Sequence, residues 1–109
     1  MAKSYNQKTL TAAGTSGAIP IDLATFRNGV GLLVTFDANV GGNCEVQVCG
    51  DDPAIGLTHW NQHEVLNGLT SSMNGNLAYP VSAVRLVAAS LSGSQGGSGI
   101  TLAVVQVSG

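Results

Sequence analysis

Apolar residues recur along this chain at short spacing, inside segments bounded by Gly, Asn, Ser and Pro. That punctuation belongs to short strands, and helical periodicity is nearly absent. The pattern predicts strands over residues 5–12, 17–23, 31–36, 44–49, 76–80, 82–89 and 100–107. Seven or eight short strands at this spacing predict an all-β fold, an antiparallel β-sandwich of jelly-roll type.

Alternation assigns faces. In Cys44-Glu-Val-Gln-Val-Cys49, Cys44, Val46 and Val48 share one face while Glu45, Gln47 and Cys49 share the other. Val46 and Val48 are expected in the core. By the same logic Ile19, Ile21, Val84, Leu86 and Ala88 point inward, and Arg85 and Val87 outward. The last strand breaks the rule, because Ile100, Leu102 and Val104 are apolar on one side and Ala103, Val105 and Val107 on the other. Two apolar faces on one strand of a sandwich suggest either that a neighbouring subunit covers the second or that the strand lies at a sandwich corner or under a loop.

Between residues 50 and 74 the strand pattern lapses, which predicts a long loop with one helical turn at most, and long loops often carry function. The run Ser92-Gly-Ser-Gln-Gly-Gly-Ser-Gly99 reads as a flexible hairpin tip between the last two strands. With 109 residues and no repeat or composition break, the chain is expected to be one domain spanning 1–109, opened by a short polar N-terminal arm over 1–11.

Composition sharpens this picture. Apolar residues make up 44% of the chain, enough for a core, but charged residues only 9%, against about 25% in typical soluble proteins. A surface of Ser, Thr, Asn, Gln and Gly has little charge to keep copies apart, and it suits burial in a permanent assembly. The only cations are Lys3, Lys8, Arg27 and Arg85, and the net charge is −2. No clustered basic face exists to hold a phosphate backbone, so nucleic acid is not expected as a partner. No run approaches the ~18 consecutive apolar residues of a membrane span, and Met1–Leu10 is too polar for the middle of a signal peptide. Synthesis in the cytoplasm is therefore expected, with no membrane partner.

Several residues invite a chemical reading. The order Cys44-x4-Cys49-x9-His59-x3-His63 superficially resembles a zinc-finger ligand set. Its central spacer is shorter than the ~12 residues of that class, and alternation sends the two cysteines to opposite faces. Two thiols packed in or beside the core are the simpler reading, and a Cys44–Cys49 disulfide is disfavoured on the same ground. His59, His63, Glu64, Asp51 and Asp52 can be drawn as a hydrolytic site, yet no Gly-x-Ser-x-Gly elbow or paired-acid scaffold accompanies them. Asp51-Asp52-Pro53 reads as a turn, and it supplies too few oxygens for calcium. No catalytic residue, metal or cofactor is expected. Trp60 either anchors a contact or folds back to plug one end of the sandwich, the plug being the simpler. A third alternative is a carbohydrate-binding module with Trp60, Tyr79 and nearby carboxylates at its site.

The order of these features resembles a family of small tailed-bacteriophage virion proteins encoded near the major capsid protein. The resemblance lies in the opening Tyr5-Asn-Gln-Lys-Thr-Leu-Thr-Ala, the central Asp51-Asp52-Pro53 and the stretch Thr58-His-Trp60-Asn-Gln-His63. It continues through Gly75-Asn-Leu-Ala-Tyr79-Pro80-Val-x-Ala83-Val-Arg85-Leu86 and closes on Thr101-Leu-Ala-Val-Val-Gln106. It spans nearly the whole chain and departs from the family's pattern in the Cys pair and the glycine-rich 92–99. It implies a capsid decoration or cement protein on the capsid exterior, a homo-oligomer (dimer or trimer) whose partner is the major capsid protein, without catalysis. Lys3, Lys8, Trp60, Arg85, Val105 and Val107 are the residues expected at protein interfaces.

Overall fold

The computed structural model describes residues 3–93 and 96–107, without the side chains of residues 3–5, 25, 27, 28 and 107. Nine strands form there: β1 (Lys3–Leu10), β2 (Gly14–Thr15), β3 (Ile19–Pro20), β4 (Val30–Phe36), β5 (Gly41–Cys49), β6 (Trp60–Gln62), β7 (Met73–Asn76), β8 (Ala83–Ser92) and β9 (Ile100–Val107). They pair antiparallel in two sheets, β1-β9-β4-β7 and β2-β8-β5-β6, with β3 also on β8.

β2 and β3 occupy a single strand position. Their register against β8 slips by one residue between Thr15 and Ile19, the mark of a bulge. Ser16 spans the slip, donating its N–H to Leu86 O at 2.8 Å and accepting the Leu86 N–H on Oγ at 2.9 Å. Counted this way, eight strand positions divide four and four in jelly-roll order, as the spacing of short strands predicts.

The core is made by the alternation read from the sequence. Ile19, Val46, Val84, Leu86, Ile100, Leu102 and Val104 are all fully buried between the sheets. Each such side chain stabilises the fold by about 1.5–3 kcal/mol. Val48, Ala88 and Ile21 join them.

Several expectations are corrected. Within the expected arm, Lys3–Leu10 forms β1, laddered to β9 from Lys3↔Val107 to Leu10↔Ile100, and residues 1–2 lie outside the described residues. The strand expected over 17–23 is only Ile19–Pro20, and a 3₁₀ turn follows at Leu23–Asn28. Asp22 caps that turn by accepting the Ala24 N–H at 3.0 Å, and Gly29 ends it at φ 92°, where other residues are strained. The strand expected over 76–80 lies earlier, at Met73–Asn76. The 92–99 stretch is no hairpin tip, because β8 and β9 belong to different sheets and the connection crosses between them. Asp37 ties the far end of that crossover, its Oδ2 accepting the Gly99 N–H at 2.8 Å.

Candidate functional site

The loop after β5 is braced by its own polar groups. The Asp51 carboxylate accepts the backbone N–H groups of Thr58 (2.9 Å) and His59 (2.8 Å), the Thr58 hydroxyl (3.2 Å), and lies 3.0 Å from His59 Nδ1. These bonds, the Thr58 amide first and then the His59 amide and ring, hold its pKa well below the ordinary carboxylate range. Asp52 caps the turn that the sequence predicts there, its Oδ1 accepting the Ala54 N–H at 2.9 Å. Asp51, Asp52, Ile55, Gly56, Thr58 and His59 line an open cleft of about 150 Å³, small beside the ~300–1,000 Å³ of ligand pockets.

His63 does something else. It is buried, its Nδ1 accepts the N–H groups of Val65 (3.1 Å) and Leu66 (3.0 Å), and its Nε2–H donates to Asn76 O at 2.7 Å. That pattern requires the neutral ring with its proton on Nε2. Both nitrogens are spent on backbone. His59, by contrast, is 82% exposed. Cys44 lies in the core cluster and Cys49 is buried on the opposite face, in register with Ala83 and Trp60, and both are free thiols. The zinc-finger-like order therefore scatters into four separate environments. Among the described residues, no three His, Cys, Asp or Glu side chains gather as metal ligands.

Trp60 is neither in an irregular loop nor a plug at the end of the sandwich. It begins β6, a three-residue strand that pairs with the edge of β5, and its indole N–H donates to Leu57 O at 3.2 Å. The Arg85 guanidinium lies over its ring, 4.2 Å from the centroid. Arg85 Nε donates to Gln47 Oε1 (2.8 Å), Gln47 Nε2 to Glu45 Oε2 (3.1 Å), and Gln62 Nε2 to Glu45 Oε1 (3.1 Å). Antiparallel register accounts for this meeting: Gln47 is opposite both Gln62 and Arg85, so all five side chains share the outer face of one sheet. Tyr79, the other aromatic considered for sugar binding, is hydrogen-bonded to Glu64, and burial and that carboxylate raise its pKa.

The opposite outer face, on β1-β9-β4-β7, differs in kind. Alternation places Gln7, Thr9, Gly31, Leu33, Thr35, Asn74, Asn76, Thr101, Ala103 and Val105 there, with no charged side chain among these described residues. Leu33, Gly31 and Val105 make a continuous apolar stripe, since a Cβ built on Gly31 lies 3.9 Å from Val105 Cβ and 4.0 Å from Leu33 Cδ1. Lys8 is not on this face. It pairs with Leu102 and its side chain runs past Gly17, with Cε and Nζ 3.7 Å from a Cβ built there. Lys3 and Val107 pair at the end of the ladder, and their side chains lie outside the described residues.

No family model matches the chain, and neither a curated protein nor a solved structure matches it. Among the described residues, no helix is long and apolar enough to cross a membrane.

Proposed function

We propose that this chain is a structural virion protein, a capsid decoration or cement subunit that packs on the major capsid protein from the capsid exterior. The observation that carries the reading is the outer face of β1-β9-β4-β7, which bears no charged side chain among the described residues, with its Leu33–Val105 stripe. Both sides of β9 are apolar, and the core accounts for only one of them. A second cover drawn from another protein answers the pattern, and charge depletion is the compositional mark of the centre of an interface.

Two further points support it. Jelly rolls recur in viral shells, an association of architecture that by itself assigns no function. The ordered residues from Tyr5 to Gln106 resemble tailed-phage virion proteins. The reading involves no catalysis: His63 is a backbone brace, and Asp51 with His59 holds a loop. A sugar-binding face is less well supported, because Arg85 already covers one side of the Trp60 ring.

Particles purified from a host producing this protein test the proposal. Quantitative mass spectrometry is expected to find the chain in a fixed, small-integer ratio to the major capsid protein, at hundreds of copies. Its absence from particles, or a trace and variable amount, overturns the reading.

A further inference from the structure

We infer that the outer face of the other sheet, built on β8, β5 and β6, is a two-fold self-association surface that takes a second copy of this chain. Self-association through this face needs no capsid, and the purified chain alone shows it.

The face carries one positive and one negative group in a fixed relation. Arg85 is opposite Gln47 across the β5–β8 ladder, and Glu45 is the next residue along β5 on the same side, opposite Val87. Both charges are held in place through Gln47, which accepts from Arg85 Nε and donates to Glu45. Trp60 supports the guanidinium from one side, and Gln62 fixes the second carboxylate oxygen. The charges do not neutralise each other at contact distance, since the one close acid–base pair among the described residues is His59 with Asp51. Among the described residues Arg85 donates only from Nε, and its two terminal nitrogens can donate to a carboxylate in fork geometry.

An isologous dimer needs a patch complementary to itself: where one group meets a second, the second must meet the first. This patch meets that condition. A two-fold axis lying in the interface and passing between Arg85 and Glu45 sets Arg85 of each copy against Glu45 of the other. It also brings Gln47 and Val87 near the axis, against their own counterparts. Because all four polar side chains are already fixed by bonds within the chain, little rotamer freedom is left to lose on association. Trp and Arg are also the residue types most enriched among interface hot spots.

β5 and β8, of nine and ten residues, carry most of the face, with three residues of β6 and two each of β2 and β3; at ~3.3 Å per residue and ~4.8 Å per strand the flat footprint is about 400 Å². That is below the ~800 Å² per partner of a standard interface, so charge complementarity rather than area carries the association. A polyanion is a poorer occupant, because the patch is neutral overall and the chain carries a net charge of −2.

Sedimentation velocity on the full chain, on Glu45→Arg, on Arg85→Glu and on an equimolar mixture of the two variants tests the inference. The wild type is expected to sediment as a dimer of the 11.0 kDa chain. Each charge reversal alone sets like charges together twice and is expected to weaken the dimer at least tenfold. The mixture then pairs a doubly positive patch with a doubly negative one and restores the dimer, as a heterodimer. Circular dichroism verifies folding. Should a reversed variant not fold, Glu45→Gln and Arg85→Gln replace the pair, and each is expected to weaken the dimer and remove its salt dependence. A monomeric wild type, a dimer indifferent to every substitution, or a mixture no more associated than its components overturns the inference.

Discussion

Replacing His63 with alanine removes a side chain that three backbone groups depend on. The Val65 and Leu66 N–H groups lose their acceptor and Asn76 O loses its donor. The Leu66 bond is buried, and an orphaned buried donor costs about 1–3 kcal/mol. The Val65 and Asn76 groups are partly buried and regain some water, so each contributes less. With the void left by the ring, the total comes to about 3–5 kcal/mol. That is a large share of the ~5–15 kcal/mol that holds a typical domain together. At about 4–8 °C per kcal/mol for a domain near this size, the melting temperature should fall by at least ~12 °C. His63→Asn provides the internal control. Its Oδ1 can take the place of Nδ1 as acceptor for the two N–H groups, so only the bond to Asn76 O is lost, at a cost of about 1–2 kcal/mol. Urea denaturation followed by Trp60 fluorescence measures both variants. Should His63→Ala melt within 1 kcal/mol of the wild type, or should Asn cost as much as Ala, the assignment of this histidine as a backbone brace is wrong.

Two other groups give separate tests. Asp51 has a folded-state pKa held below its unfolded value, so its contribution is fully present above pH ~4 and is lost as pH falls toward the folded pKa. Below pH ~4 the Thr58 and His59 amides should lose hydrogen-exchange protection in the wild type, whereas Asp51→Asn should show no such step; an identical profile in both would refute the brace. Cys44 has its thiol pKa pushed up to about 11, by burial first and by the Glu45 carboxylate second. In a Cys49→Ala background it should therefore react with a maleimide at pH 8 only as fast as the protein unfolds, and labelling at the rate of a free thiol would contradict the packing.

The parts of the fold that alternation governs were legible in the sequence. β5, β8 and β9 each bury one face in a core, and their period of two survives because a slip of one residue would turn every core side chain to solvent. β7 was misplaced for an equally physical reason. Its sequence, Met73-Asn-Gly-Asn76, has no apolar alternation: of its two positions of inward parity, Met73 is exposed at the strand's start and the other is Gly75, where an added Cβ would come within 2.9 Å of Leu66 Cδ1. Leu66 fills from a loop the space that a strand residue would otherwise occupy, so the strand carries no hydrophobic signal of its own. The 3₁₀ turn did leave a signal, Asp22 as cap and Gly29 as stop, which the apolar run Ile19-Pro-Ile21 overrode.

The surface residues divide in the same way. Arg85 and Val105 were placed outward by alternation alone, and the structure puts both there. A three-residue strand is too short for a pattern, so from the sequence Trp60 falls in a loop, and only the pairing to β5 makes the segment a strand. Its contact with Arg85 joins residues far apart in sequence through the register of two ladders, which no local motif records. Lys8 is exposed, and its parity turns it toward Gly17 and the side of the gap between the sheets, away from the Leu33–Val105 stripe.

The proposed role is tested most directly by adding the purified protein back to capsids that lack it and measuring saturation binding. Ile55→Glu, at an 87% exposed position in the loop after β5, serves as a surface control that should bind like the wild type. Leu33→Glu and Val105→Glu place one charge each on the apolar stripe without touching the core, and burying an unpaired charge at the centre of an interface costs enough to weaken binding more than tenfold. Loss of binding in those two variants alone is the predicted result. Equal binding by all three, or no saturable binding by the wild type, would contradict the account.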